Sequence, residues 1–413
     1  MASDAASPPA RFTIWSQVRA LTGSPMAPYY FVVASVTVLV GIGLLMVLSS
    51  SAVLAMSTQD GPYYYFIRQV IFLVVGVVGL LILSRMPPTL LRTFGWVFWM
   101  LAVALLIAVQ VPGLGVNVNG NMNWLRIGGF QFQPSEFAKL ALVVWCGAIL
   151  HNKRGRLHEP LQLAMPLIPL GGLILALVLA GRDLGTGLII GLIIVAVMWF
   201  IGTPLRVLLP LGVAALALVG LLVFGSGNRM SRIAIFLDPQ SNTDLSSQPM
   251  AALYALASGG WWGLGLGASK QKWGGLKTGA HTDYIFAVIG EELGLFGVLL
   301  VVAMFALLGW AGLEIAMRSD KMFNRVVAAG ITAWFLMQAT INIFVVMHLL
   351  PVLGVPLPFV SSGGSALMAS LMAVGVLLTL ARDTPDARAL LASRKVPARP
   401  RMTSVMAASR EDS

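Results

Sequence analysis

Acidic side chains are scarce in this chain, 16 Asp and Glu among 413 residues, so those beside long apolar runs are the first candidates for chemistry. Asp283 follows His281-Thr282 where an apolar run begins, and Glu291-Glu292 lie two turns further along it. Arg182-Asp183 falls between two other runs. Glu136 stands three residues before Lys139, a spacing that puts both on one helix face. Ionisable groups at membrane depth are costly and usually serve pairs, pathways or sites. Glu136–Lys139 and Arg182–Asp183 each have a local partner, so ion pairs tying helix ends explain them as readily as substrate contact does. Asp283 has no basic neighbour besides His281. A carboxylate there could act as a general base or as a ligand of a divalent cation. Further on, prolines from Pro351 to Pro358 prevent a regular helix, and Ser361-Ser362-Gly363-Gly364-Ser365 then opens one. Its free backbone N–H groups suit an anion, and a re-entrant turn packed on its neighbours suits the sequence equally.

Several patterns are coincidences. Ser269-x-x-Lys272 and Lys277-Thr278-Gly279 match motifs of penicillin-binding transpeptidases, but those motifs sit on separate elements of a large soluble domain. Gly263-x-Gly265-x-Gly267 has no strand–helix–strand unit around it, which rules out a dinucleotide loop. His348 falls on an apolar helix face, where packing is the simpler role. The single cysteine, Cys146, permits neither an intramolecular disulfide nor a cysteine-based zinc site.

The elements that must position these residues follow from composition. The chain is 58% apolar and only 10% charged, with a mean hydropathy of +0.86. A soluble enzyme could not cover its surface with so few polar groups. Apolar runs near 29–56, 69–84, 93–111, 135–151, 161–181, 184–203, 207–225, 284–313, 326–350 and 362–381 predict an all-α polytopic membrane protein with ten transmembrane helices. About two-thirds of the Lys and Arg residues fall on one side, in the tails and alternate loops, which places both termini in the cytoplasm. That bias accounts for much of the net charge of +11 without nucleic acid. The segment 226–283 becomes one long extracytoplasmic loop between helices 7 and 8. Its length and its tryptophans 261, 262 and 273 point to ordered, partly interfacial structure. Residues 1–27 and 383–413 read as disordered cytoplasmic tails flanking a membrane domain over 28–382, with an affinity for anionic lipid.

Five segments carry a resemblance to a known family. They are Gln133-Pro-Ser-Glu-Phe-Ala-Lys139, Asp183-Leu-Gly-Thr186, Gly260 to Lys272, His281-Thr-Asp-Tyr-Ile-Phe-Ala287 with Glu291-Glu-Leu-Gly294, and Asn342 through Pro351 and Pro356 to Ser365. Over about residues 30–382 the chain resembles the SEDS membrane glycosyltransferases that polymerise peptidoglycan. Met46-Val-Leu-Ser-Ser-Ser51 is more similar to the division (FtsW-type) branch than to the elongation (RodA-type) branch. The chain departs from the family around Asn123-Trp124, at His348 and between Lys272 and His281.

The resemblance implies a SEDS fold in the bacterial cytoplasmic membrane, at the division septum. It implies that lipid II is polymerised into glycan strands at the outer face, releasing undecaprenyl diphosphate. Asp283 would be the catalytic base, or the ligand of an assisting Mg or Mn ion, with no organic cofactor. Arg126, Lys139, Arg182 and Lys272 would bind diphosphate or sugar, with Glu136, Asp183, His281, Ser361, Ser362 and Gly363 completing the substrate site. Partners would be lipid II and nascent glycan, a class B penicillin-binding transpeptidase, other divisome proteins and membrane lipid, but no nucleic acid. The alternatives are a lipid II flippase, the RodA-type polymerase and a non-catalytic scaffold; charges gathered on one side and the absence of an internal repeat weigh against transport.

Overall fold

A chain this apolar must satisfy its backbone internally, and helices do so segment by segment. The computed structural model describes residues 23–57, 61, 63–118, 121–127, 130–153, 155, 160–225, 227–238, 243–276 and 279–395. In order they form α1 (Ala27–Ser57), α2 (Tyr64–Arg85), α3 (Pro88–Thr93), α4 (Gly95–Gln110), β1 (Gly115–Val118), β2 (Asn121–Ile127), β3 (Phe130–Phe132), α5 (Pro134–Asn152), α6 (Pro160–Ala180) and α7 (Leu184–Phe200). There follow α8 (Leu205–Phe224), α9 (Gly227–Leu237), α10 (Thr243–Ser258), a 3₁₀ turn (Gln271–Trp273), α11 (Ile285–Arg318), α12 (Met322–Val346), α13 (Gly364–Arg382) and α14 (Pro385–Lys395). Each of the ten apolar runs holds a helix. Among the described residues, α1, α2, α8, α11, α12 and α13 are long and apolar enough to cross a membrane, while α4, α7 and much of α6 are shorter apolar helices.

The bundle packs α13 along α2, α11 against α12 and α1, and α4 against α5. Trp145, Trp334, Phe335, Leu39 and Met46 are fully buried where these helices meet. Gly43 of α1 permits a close approach of backbone: a Cβ there would lie 2.6 Å from the Phe359 carbonyl oxygen. By contrast α8 buries only Leu208 and Val223, leaving an apolar surface turned outward.

One feature differs from the all-α reading, and two add helices where a loop and a tail were expected. The segment before α5 forms an antiparallel sheet in the order β1-β2-β3, with Val116 opposite Trp124 and Arg126 opposite Gln131. The expected loop 226–283 contains α9, α10 and the 3₁₀ turn. The expected tail 383–413 opens with α14. Thr384 and Ala387 of that segment are buried, and Arg388 donates to Asp320 at 2.6 Å. Residues 1–22 and 396–413 lie outside the described residues.

Candidate active site

A cavity of about 550 Å³ opens where β2, Gln133 before α5, the start of α7, the end of α8, α9, the Pro351–Gly354 loop and Thr282-Asp283 converge. Of the sequence candidates it gathers Asp283, Arg182 and Asp183, and it adds Arg229 and Arg232 from α9. Three guanidinium groups and two carboxylates thus share one space of ordinary ligand-pocket size.

Asp283 sits just before α11, and its main chain is fixed. Asn342 of α12 donates from Nδ2 to the Asp283 carbonyl at 2.9 Å and to the Val355 carbonyl at 2.8 Å. Ser361 Oγ donates to the Thr282 carbonyl at 2.7 Å and accepts from the Leu357 N–H at 2.9 Å, and the Ser362 N–H reaches the His281 carbonyl at 2.8 Å. The side chain is left open: among the described residues no donor hydrogen-bonds its carboxylate. Burial raises the carboxyl above its usual range, the Arg232 charge opposes that shift, and the like charge of Asp183 adds to it. A carboxylate that is short of donors and harder to ionise is a stronger proton acceptor. Gly354, whose φ of +71° favours glycine, adjoins it: a Cβ there would lie 3.9 Å from Asp283 Oδ2.

Asp183 has the opposite environment. Its Oδ1 accepts the Thr186 N–H at 3.0 Å, capping α7. Its Oδ2 accepts from Asn123 and Gln133 at 2.9 Å each and from Thr186 Oγ1 at 2.8 Å. One carboxylate therefore binds the sheet and the start of α5 to the start of α7. Arg182 is not its ion-pair partner. Its φ of 64° is a left-handed conformation that costs roughly 1–2 kcal/mol for a residue with a Cβ. That turn exposes the Arg182 carbonyl to Arg229 Nη2 at 3.1 Å. Arg229 Nη1 also donates to the Leu222 carbonyl at 2.9 Å, and Arg232 Nη1 to the Val352 carbonyl at 3.2 Å. Backbone contacts aim these arginines without neutralising them.

The remaining candidates lie outside the cavity lining. Lys139 is buried, donates to Glu136 Oε1 at 2.8 Å and to Gln338 Oε1 at 2.9 Å, and lies 4.9 Å from the Trp334 ring centre. Lys272 donates to Glu292 Oε1 at 2.9 Å, to Ser49 Oγ at 3.0 Å and to the Gly267 carbonyl at 2.7 Å. Arg126 is exposed on β2. His281 is buried against Tyr65, ring centres 5.2 Å apart, and burial lowers its pKa to about 4, so it is neutral at pH 7. Ser361 and Ser362 brace the chain behind Asp283, and Gly363 is the extended N-cap of α13. Arg229 and Arg232 fall in the expected loop 226–283 and are not among the sequence candidates. Their three-residue spacing in a helix, which puts both on one face, was the available signal.

Comparison with known proteins follows the same outline. A family model described as Cell cycle protein (FTSW_RODA_SPOVE) matches residues 30–385. The chain is 37% identical over 387 residues to a protein of Mycobacterium tuberculosis named probable peptidoglycan glycosyltransferase FtsW, covering 94% of this chain and 72% of that one. It is 34% identical over 363 residues to stage V sporulation protein E of Bacillus subtilis, covering 88% and 99%. A solved structure described as "Structural coordination of polymerization and crosslinking by a peptidoglycan synthase complex" superposes with a TM-score of 0.71 at 27% identity, covering 86% of this chain and 97% of that one. The rod shape determining protein RodA of Thermus thermophilus superposes with a TM-score of 0.64 at 25% identity, covering 86% and 96%.

Proposed function

Because the chain belongs to the FtsW, RodA and SpoVE family of cell cycle proteins, we propose that it is a peptidoglycan glycosyltransferase polymerising lipid II in septal wall synthesis. One observation carries the assignment of the site: the Asp283 carboxylate, without a hydrogen-bond donor among the described residues, shares one cavity with Arg182, Arg229 and Arg232. Glycosyl transfer to a sugar hydroxyl needs those two kinds of group. The acceptor oxygen bonds to the anomeric carbon as the bond from that carbon to the diphosphate oxygen breaks. The hydroxyl proton passes to Asp283, and the electron pair leaves with the diphosphate, whose growing charge the arginines stabilise. Arginine suits this role through its fixed fork of donors.

A divalent cation, Mg or Mn, is expected beside Asp283. Both Asp183 oxygens are already engaged, and no group of three or more His, Cys, Asp or Glu side chains gathers among the described residues. Of the two cavity carboxylates, Asp283 is the one open to such an ion, and substrate oxygens would have to complete the shell. Bound there, it would offset diphosphate charge.

The membrane arrangement proposed with this activity has ten spans, both termini cytoplasmic and the Asp283 cavity at the outer face. Arg126, His281 and Glu136–Lys139 then form the surroundings of the substrate site, with Ser361, Ser362 and Gly363 as its brace. A class B penicillin-binding transpeptidase is the proposed partner, in line with the synthase complex that the fold resembles. The test is gel-resolved polymerisation of lipid II by the purified protein, with and without that partner, in a divalent cation and moenomycin. Glycan strands from the wild type, lost in Asp283→Ala, are expected. No strands even with the partner, together with lipid II translocation in liposomes, would replace the polymerase with a flippase.

A further inference from the structure

Helix α11 is longer than a membrane needs. At 1.5 Å per residue its 34 residues rise about 51 Å, against a hydrocarbon layer of about 30 Å. It is also broken: Gly294 has φ 67° and ψ −164°. The stretch from Leu295 to Arg318 alone rises about 36 Å, which puts the break at one boundary of the hydrocarbon.

A broken helix at that depth exposes backbone groups that lipid cannot satisfy. The carbonyls of Glu291 and Glu292 lose their partners, and so do the N–H groups of Leu295 and Phe296. All four find new ones in a single segment. Leu264 and Gly265 donate to Glu291 and Glu292 at 2.9 and 3.1 Å, while Leu295 and Phe296 donate to Gly260 and Trp261 at 2.9 and 3.4 Å. The fit depends on two glycines. A Cβ on Gly263 would lie 2.2 Å from the Glu292 carbonyl oxygen, and one on Gly294 would lie 2.4 Å from the Gly263 nitrogen.

The segment stitched into the break turns apolar side chains outward. Trp261 is 65% exposed and Trp262 81%, and Leu266 is exposed beside them. The Trp262 ring lies 4.7 Å from that of Phe296, whose helix continues outward with Leu299 and Leu300. This surface therefore runs without a gap into the face that α11 presents to lipid. Exposed Lys270 follows, suited to headgroup phosphate.

We propose that Gly260–Leu266 is a membrane-interface anchor, with Trp261, Trp262 and Leu266 seated at the headgroup–acyl boundary on the Asp283 side. A bilayer explains both the amphipathic indoles and their level at the end of a span. A protein partner would leave the continuity with the lipid-facing side of α11 without a cause. Because the segment is bonded to α11 eight to thirteen residues after Asp283, the anchor sets the depth of the cavity relative to a lipid-borne diphosphate.

The test uses the full chain in lipid nanodiscs with a nitroxide on Trp262→Cys; Cys146 is buried, and labelling of the wild type controls for it. Labels on Leu299→Cys and Ser393→Cys mark lipid and water. Power saturation is expected to show the 262 label colliding with oxygen far more than with a nickel chelate, near the Leu299 value. Agreement with Ser393 would overturn the proposal. A label that reads as water-exposed alone and becomes shielded from both probes only with the transpeptidase would overturn it in favour of protein docking. A second readout leaves the fold untouched: brominated lipid should quench more tryptophan fluorescence in the wild type than in Trp262→Phe, and equal quenching would contradict the anchor.

Discussion

Two groups of charge lie within ten residues of each other along the chain, and they have opposite fates. Around Glu291 and Glu292 every oxygen is engaged. Glu292 accepts from Ser49, Lys272 and the Gly267 N–H, and Glu291 from Ser269 and the Lys270 N–H, with both side chains fully buried. Among the described residues no donor reaches the Asp283 carboxylate, which faces three arginines, two of them, Arg229 and Arg232, held by backbone carbonyls. The first arrangement bolts α1, α11 and the Gly267–Lys272 segment before α11 together. The second leaves charge available to a ligand. Charge beside a membrane therefore marks a site only where the structure has left it unsatisfied.

The sharpest way to break this comparison is Asp283→Asn. Loss of a positioned base should lower polymerisation by about 10²–10⁴-fold. Folding should not suffer, and the sign is definite. A folded carboxyl held above its usual value of 3.8 contributes stability below that pH and loses it as pH rises through the folded value, so ionised Asp283 costs stability at neutral pH. Asn removes that cost, and the variant should melt at or above the wild-type temperature.

Lys272→Ala is the next largest effect and the converse one. Breaking a buried pair strands Glu292 and should cost about 3–5 kcal/mol, read as a lower melting temperature and yield. Replacing both partners, as in Lys272→Met with Glu292→Met, should recover most of that loss.

Arg232→Ala should weaken substrate binding by roughly 1.5–3 kcal/mol, a rise in KM of about tenfold to a hundredfold, with little change in melting. It should also move the acid limb of the pH–rate profile upward, because the Arg232 charge helps to ionise Asp283. Smaller still is the effect of Asp183→Asn: the amide oxygen can still cap α7, but its NH2 cannot accept from Asn123 and Gln133, a loss of about 1 kcal/mol, and the limb shifts the other way.

Much of this architecture was legible in one dimension. Each of the ten apolar runs located a helix, and the i,i+3 spacing of Glu136 and Lys139 anticipated their ion pair. The sheet was missed although Asn119-Gly120, a strong hairpin turn signal, stands between alternating residues on either side. Thr384-Pro385-Asp386 likewise carried a helix start that a polar composition obscured. Other features had no local signal. Arg232 meets Asp283 only because α9 folds back over the cavity, and Lys272 meets Glu292 only because the loop is stitched into the break at Gly294. Tertiary pairing decides which charges remain free, and spacing along the chain does not contain it.

The most direct test measures polymerisation per folded molecule for Asp283→Asn and for the Lys272→Met, Glu292→Met pair, side by side with the wild type. The expected result is a folded, inactive Asn variant and a folded double variant that makes strands at close to the wild-type rate. A double variant that folds yet makes no strands, or an Asn variant that still polymerises, would contradict the division of roles between the two groups.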